Sequence, residues 1–323
     1  MNNNFKDINK KEKSAGKLTA LMLAVLTVVF SALTFVSMRF AIILALVPFF
    51  IAAVACLACV FYFYRNPLAV ALPFLPFAVN LASPVSTLGC GWLILICSLV
   101  IFLCMRGKLE TFPTLICGAT VYALAAGTAF TVFVIYIFGS VENAVNVFGE
   151  LYNVIISAAF AELGAEMVAM YIQMYDQIVM SLPAVFVAFG LFAMWLTKCF
   201  IGFIAQTVTG ENNVFGKKSH APVTLAFIYL FISLASVIFT FSDAETYFAM
   251  NNVQSVLQFV FMFEGISAFL FERNPAMSQG KFIGIIVVTS ISVLIMPALA
   301  VIIIAYYGVL RTFGRKKPQA FKK

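Results

Sequence analysis

Charge is what this sequence has least of. Only 10% of its 323 residues are Asp, Glu, Lys or Arg, whereas a soluble domain carries about 25%. With 63% hydrophobic residues and a mean hydropathy of +1.05, so few charges cannot cover a water-solvated surface. An ordinary soluble domain is excluded, and the solvent has to be largely lipid. Histidine is nearly absent too. The single one, His220, lies in a basic loop beside Lys217 and Lys218; it reads as a solvated loop residue and a poor catalyst. There is no P-loop, no G-x-S-x-G, no H-E-x-x-H and no pair of carboxylates. Nothing indicates ATP hydrolysis or covalent catalysis, so the expectation is no enzyme, no catalytic residue, no metal and no cofactor. The net charge of +7 comes from residues in short loops and at both ends rather than from one clustered basic face, which argues against nucleic acid as a partner. The seven cysteines are odd in number and all lie in apolar stretches, unlike a secreted disulfide framework.

What is abundant is apolar sequence in runs of membrane-spanning length, about 20 residues. The candidates are 18–37, 40–64, 67–82, 87–105, 111–138, 179–208, 222–242, 246–271 and 282–309. The pattern predicts an all-α, polytopic transmembrane bundle of eight or nine spans. The first run follows Lys6, Lys10, Lys11, Lys13 and Lys17, leads at once into a second run and shows no small-x-small cleavage site; it reads as an uncleaved span. The third carries Pro67, Pro73 and Pro76. Each removes a backbone donor, so a kinked or partly unwound helix is expected there.

Positive residues set the orientation. With the N-terminus cytoplasmic, Arg65, Arg106, Lys108, Lys217 and Lys218 also fall inside, and the acidic segment 139–178 falls outside. The end of the chain disagrees: nine spans place the cationic tail after Gly308 outside, and eight bring it inside. Within 139–178, Glu142, Asn146, Glu150, Asn153 and Ser157 recur on one helical face, and a similar pattern follows Gly164. One or two amphipathic helices on the outer surface are predicted, either a lid or an extension resting on the bundle. The chain divides into a basic N-terminus (1–17), a six-span bundle (18–208), a basic inner loop (209–221), a C-terminal part of two or three spans (222–310) and a basic tail (311–323).

Ionisable residues inside spans are scarce, and each is a functional candidate. Glu264 is the clearest, about 10 Å from the inner end of its span at 1.5 Å per residue, where it could face a cavity, bind a cation or proton, or pair with Arg273. Asn251, Gln254, Ser255 and Gln258 form an amide stripe on another face of the same helix, and Asn80 ends the proline-broken third run. Asn80, Asn251, Gln254, Gln258 and Glu264 are therefore the candidate substrate-binding residues. Such amides otherwise bond neighbouring helices. Lys198 is close enough to the inner end to snorkel. Cys56 and Cys59 form a C-x-x-C that a redox site could use, although buried cysteine more often packs as a small hydrophobe. Cys90, Cys97 and Cys104 share one face. Ala119, Ala123, Gly127 and Thr131 form a small-residue face, and Ala20 and Ala24 form an A-x-x-x-A; both permit close helix approach.

Residues 257–271, L-Q-F-V-F-M-F-E-G-I-S-A-F-L-F, and 306–317, Y-Y-G-V-L-R-T-F-G-R-K-K, resemble the YybS-like family of bacterial multi-pass membrane proteins. Members commonly have Gln-Gly-Leu/Ile-Ser where this chain has Glu264-Gly265-Ile266-Ser267, and an acid where Arg311 stands. The order of parts is also similar: basic start, Pro48 in the second span, long outer segment and basic inner loop. That family is distantly similar to the substrate-binding S components of energy-coupling-factor vitamin transporters, whose six spans correspond to 18–208. The resemblance implies a bacterial cell membrane location, an unknown small solute, and docking of a membrane coupling subunit at Ala20 and Ala24. A solute-binding or transport-related protein is thus the expectation. The alternatives are a structural or regulatory protein that binds other membrane proteins, and an intramembrane thiol oxidoreductase.

Overall fold

The structure, a computed structural model, describes residues 2–39, 43–76, 84–159, 165–209, 214–215, 220–238, 244–271 and 297–313. Among these, every regular element is helical and there is no strand. The order is α1 (Asn2–Arg39), α2 (Ile43–Tyr64), a 3-10 helix (Pro67–Phe74), α3 (Pro84–Arg106), α4 (Thr111–Phe138), α5 (Val141–Ala159), α6 (Ala165–Thr209), α7 (Val223–Ile238), α8 (Ala244–Phe271) and α9 (Pro297–Phe313).

Five described helical stretches are long and apolar enough to cross a membrane: Thr19–Ser37, Ala45–Tyr64, Leu88–Arg106, Thr111–Phe138 and Gln177–Val208. Shorter apolar helices cover Val223–Ser236 and Leu299–Phe313. Their outward faces are apolar: Tyr136, Phe203, Phe231 and Leu310 are 89, 71, 70 and 68% exposed. A surface so rich in large hydrophobic side chains would drive aggregation in water and fits lipid. This is the build of a helical membrane protein.

The third sequence candidate, 67–82, forms no helix of spanning length among the described residues. Asn66 accepts the Leu68 N–H through its side chain at 3.0 Å, Pro67 takes the first position and Pro73 follows inside, giving a 3-10 helix of 8 residues. At about 2.0 Å per residue that is about 16 Å, half of a bilayer core of about 30 Å.

The chain clusters into two compact units, residues 1–125 with 190–219, and 126–189 with 220–323. The partition passes through α4 and α6, each of which contributes residues to both units.

In the first unit α2 is the hub. Ile51 to Phe61 are buried without interruption, as expected of a helix that is apolar all round. α1 meets it with a seam of Leu23, Thr27, Ser31 and Thr34, and leaves Leu21, Met22, Val25 and Val29 exposed. Thr27 and Thr34 donate to the carbonyls of Leu23 and Phe30 at 2.8 and 2.7 Å, so these two hydroxyls enter the core satisfied by their own helix, whereas the buried Ser31 hydroxyl has no partner among the described residues. On α3, Cys97 and Cys104 are buried beside Ile94 and Ile101, and the Ser98 hydroxyl lies 2.6 Å from the Ile94 carbonyl and 3.2 Å from that of Val54. The α4 small-residue face is used in its first half. A Cβ on Gly190 of α6 would collide with the Ala119 carbonyl and lie 3.0 Å from the Ala123 nitrogen. Beside it, Thr197 donates to the Ala193 carbonyl at 2.8 Å, so the Tyr122 hydroxyl, 2.6 Å from Thr197 Oγ1, is the donor of that second bond.

In the second unit, Gly139 has φ +81°, a conformation in which a side chain is strained. It ends α4, and Ser140 Oγ accepts the Asn143 N–H at 3.0 Å to start α5, an ordinary N-cap arrangement. α5 and the start of α6 pair as a hairpin: Tyr175 donates to the Val145 carbonyl at 2.6 Å and Tyr152 to the Tyr171 carbonyl at 3.0 Å. α5 has three faces. Val145, Gly149, Tyr152 and Ile156 are buried or half-buried, Glu142, Asn146, Glu150 and Asn153 are exposed, and Val147, Leu151, Val154 and Ile155 form an exposed apolar face. α5 is therefore amphipathic as predicted, and the helix after it runs straight into the membrane-length part of α6. At 45 residues and about 1.5 Å each, α6 is about 67 Å long, far more than a bilayer core needs. α7, α8 and α9 form a second cluster in which Tyr229 stacks near Phe261 and Tyr306, with ring centroids 5.6 and 6.0 Å away.

Candidate functional site

In the second unit α8 and α9 approach closely. A Cβ on Gly265 would collide with the Ile304 carbonyl and lie 3.2 Å from the Gly308 nitrogen; one on Gly308 would collide with the Phe261 carbonyl and lie 3.0 Å from the Gly265 nitrogen. Only glycine allows two backbones to touch in this way. One turn further along α9, buried Thr312 donates to the Gly308 carbonyl at 3.0 Å.

Glu264 precedes Gly265, so the crossing fixes where its carboxylate stands. Its Oε1 is 2.6 Å from Nδ1 of His220, just before α7, and the two side chains are 9 and 26% exposed. It is an ion pair between described residues. Placing one charge in apolar surroundings costs several kcal/mol, of order 2–7 even for a neutral polar group. A carboxylate and an imidazole lessen that cost by sharing a proton. With one proton the pair is neutral overall, whether written as imidazolium with carboxylate or as imidazole with carboxylic acid; without it the net charge is −1. The arrangement sets an ionisable carboxylate–imidazole pair at a point braced by three helices.

The other sequence candidates are not gathered here. On α8, Gln254 and Gln258 are half-buried and Asn251 is exposed. At 100° per residue Glu264 is turned about 120–140° from Asn251 and Gln258 and about 80° from Gln254, and Gln258 is about 9 Å away along the axis. Its neighbour Asn252 makes the inter-helix contact instead, donating to the Met180 carbonyl at 2.8 Å, one turn before Pro183, where a helical ladder is interrupted. Asn80 and Arg273 lie outside the described residues. Ala20 and Ala24 are half-buried at the edge of the hydroxyl seam of α1. Cys56 and Cys59 are buried in α2, and all seven cysteines are free. The Lys198 ammonium lies 5.8 Å from the centre of the Phe215 ring, within cation–π range.

His220 corrects the sequence reading. It is not a solvated loop residue; it is half-buried and bonded to the one acid of α8 that the sequence singled out. The signal was thin, a lone histidine leading Ala-Pro into an apolar helix, and its partner is 44 residues away. Gly265 and Gly308 had a signal too, each a glycine in an apolar run, but only the crossing shows that they face each other.

No family model matches the chain, and no curated protein or solved structure matches it either.

Proposed function

We propose that the chain is a multi-pass protein of the bacterial cell membrane that binds or transports a small solute, with the His220–Glu264 pair as the ionisable element through which its C-terminal helices respond to a proton or cation. The observation that supports this reading is a carboxylate only 9% exposed, hydrogen-bonded to a histidine, in a chain with 10% charged residues. Such a group in lipid-embedded helices is expensive and marks ion or substrate pathways by default. The proposal keeps a cytoplasmic N-terminus and eight or nine spans, with Glu264 toward the inner side, where His220 follows the basic loop. It also keeps the YybS-like resemblance, the six-span part as the S-component-like unit with Ala20 and Ala24 as its docking pair, and α5 with the start of α6 as the outer amphipathic segment.

The test is thermal unfolding of the full-length purified protein across a pH series with vitamins, amines and metal cations. A ligand at 100 times its Kd stabilises the folded state by about 2.7 kcal/mol, readily seen as a shift in Tm. The expected result is stabilisation by at least one compound, with a pH dependence that Glu264→Gln removes while the variant stays folded. No stabilisation by any of them, with reproducible co-purification of a membrane protein, would replace this reading with a structural or regulatory role.

A further inference from the structure

Two arginines that end neighbouring helices of the first unit line one cleft. Its volume is about 270 Å³, and its walls are Phe61, Arg65, Asn66, Pro67, Phe102 and Arg106. The inner wall is aromatic, with the Phe61 and Phe102 rings 5.9 Å apart between centroids. Arg65 leaves α2 in the left-handed region, φ 47°, unusual for any residue but glycine. The Asn66 side chain then turns the chain into the 3-10 helix. Arg106 is in the last turn of α3. Both arginines are exposed, and neither has an acidic partner among the described residues. In the turn after α3, Lys108 and Glu110 are exposed and offset each other, which leaves the two guanidiniums as the uncompensated charge.

Two cations sharing a cleft repel each other, and helix C-terminal carbonyls offset only part of that. The complement is an anion that accepts from both planar forks, and a phosphate group does so in the bidentate geometry arginine favours. The cleft is below the roughly 300–1,000 Å³ of drug-sized pockets, which suits a headgroup rather than a large solute. The surroundings favour an esterified phosphate over a free one. Leu68 beside Pro67 is 77% exposed and Leu103 beside Phe102 is 58% exposed, an apolar border on which an acyl chain can rest. We propose that this cleft binds the phosphate of an anionic phospholipid between Arg65 and Arg106. The proposal does not depend on His220–Glu264.

The experiment uses the full-length protein in neutral detergent, titrated with phosphatidylglycerol, phosphatidylcholine or sodium phosphate and read by native mass spectrometry and by Tm. The expected result is preferential retention of phosphatidylglycerol, weakened about tenfold by Arg106→Gln and again by Arg65→Gln, in line with the loss of one charge-assisted pair each. Arg65→Gly separates binding from folding, because glycine accepts the φ of that turn: it should weaken the lipid about tenfold, as Arg65→Gln does, while Tm in phosphatidylcholine holds or rises. Arg106→Lys should retain part of the binding. Stabilisation by sodium phosphate that disappears in the same variants, without preferential retention of phosphatidylglycerol, would overturn the lipid assignment and give the site to free phosphate. Equal retention of the two lipids by wild type, or undiminished phosphatidylglycerol retention by the double Gln variant, would overturn the proposal.

Discussion

The two compact units are held by different physics. The first is organised around α2, which is buried on every side from Ile51 to Phe61, and its polar contacts are hydroxyls that bond largely within their own helix. The second depends on backbones touching at Gly265 and Gly308, and on a carboxylate–imidazole pair that connects the entrance of α7 to α8. A helix surrounded by apolar neighbours tolerates exchange among residues of similar volume. A glycine crossing does not, because the obstacle is another backbone and no rotamer can move it. The α2 hub of the first unit is therefore expected to be forgiving, whereas the Gly190 crossing against the Ala119 backbone and the Gly265–Gly308 crossing of the second unit are demanding, the last of these lying beside the ionisable group.

The sharpest attempt to break this contrast is Gly308→Leu. Forcing a side chain into the Phe261 carbonyl should cost upwards of about 3 kcal/mol, seen as a large fall in Tm in detergent. Gly118→Ala in the first unit meets the Met194 side chain, which is flexible, and should cost less than about 1.5 kcal/mol. Equal losses for the two would remove the distinction. Glu264→Ala comes next: losing a charge-assisted hydrogen bond to His220 should destabilise by about 1.5–3 kcal/mol, with Glu264→Gln recovering part of it. Tyr122→Phe removes the bond to Thr197 but leaves Thr197 its own carbonyl partner, so about 1 kcal/mol or less is expected in the same thermal assay. The smallest effect has the opposite sign. Lys108 closes α3 at φ 46°, between the Lys108 N–H to Met105 carbonyl bond of 3.1 Å and the Leu109 N–H to Cys104 carbonyl bond of 3.1 Å. Helices usually place glycine in that left-handed position, so Lys108→Gly should raise stability by roughly 0.5–1 kcal/mol.

Much of the fold was legible because it is written in local composition. Runs such as 111–138 appear at those bounds as helix, and Pro67 and Pro73 foretold that 67–82 would not be a plain span. The polar face at Glu142, Asn146 and Glu150 foretold α5. The candidate site was half legible. Glu264 stood out because a carboxylate among Phe, Met and Ile is costly. His220 did not, since its meaning comes from a partner 44 positions away. The amide stripe shows the converse: Asn251 was prominent in the periodicity, yet Asn252 makes the bond to α6, because a shift of one residue turns a helix by 100°.

Residence in lipid follows from the sequence by itself, because hydropathy and charge are sums over residues and need no fold. The helical character of the chain follows as well, since a backbone in lipid must satisfy its own hydrogen bonds. The choice of which residues meet belongs to tertiary structure. That Gly308 touches Phe261, that His220 reaches Glu264, and that Arg65 and Arg106 share one cleft depend on helix rotation and axial offset. Those are decided by the packing of whole faces, for which no single residue carries the instruction.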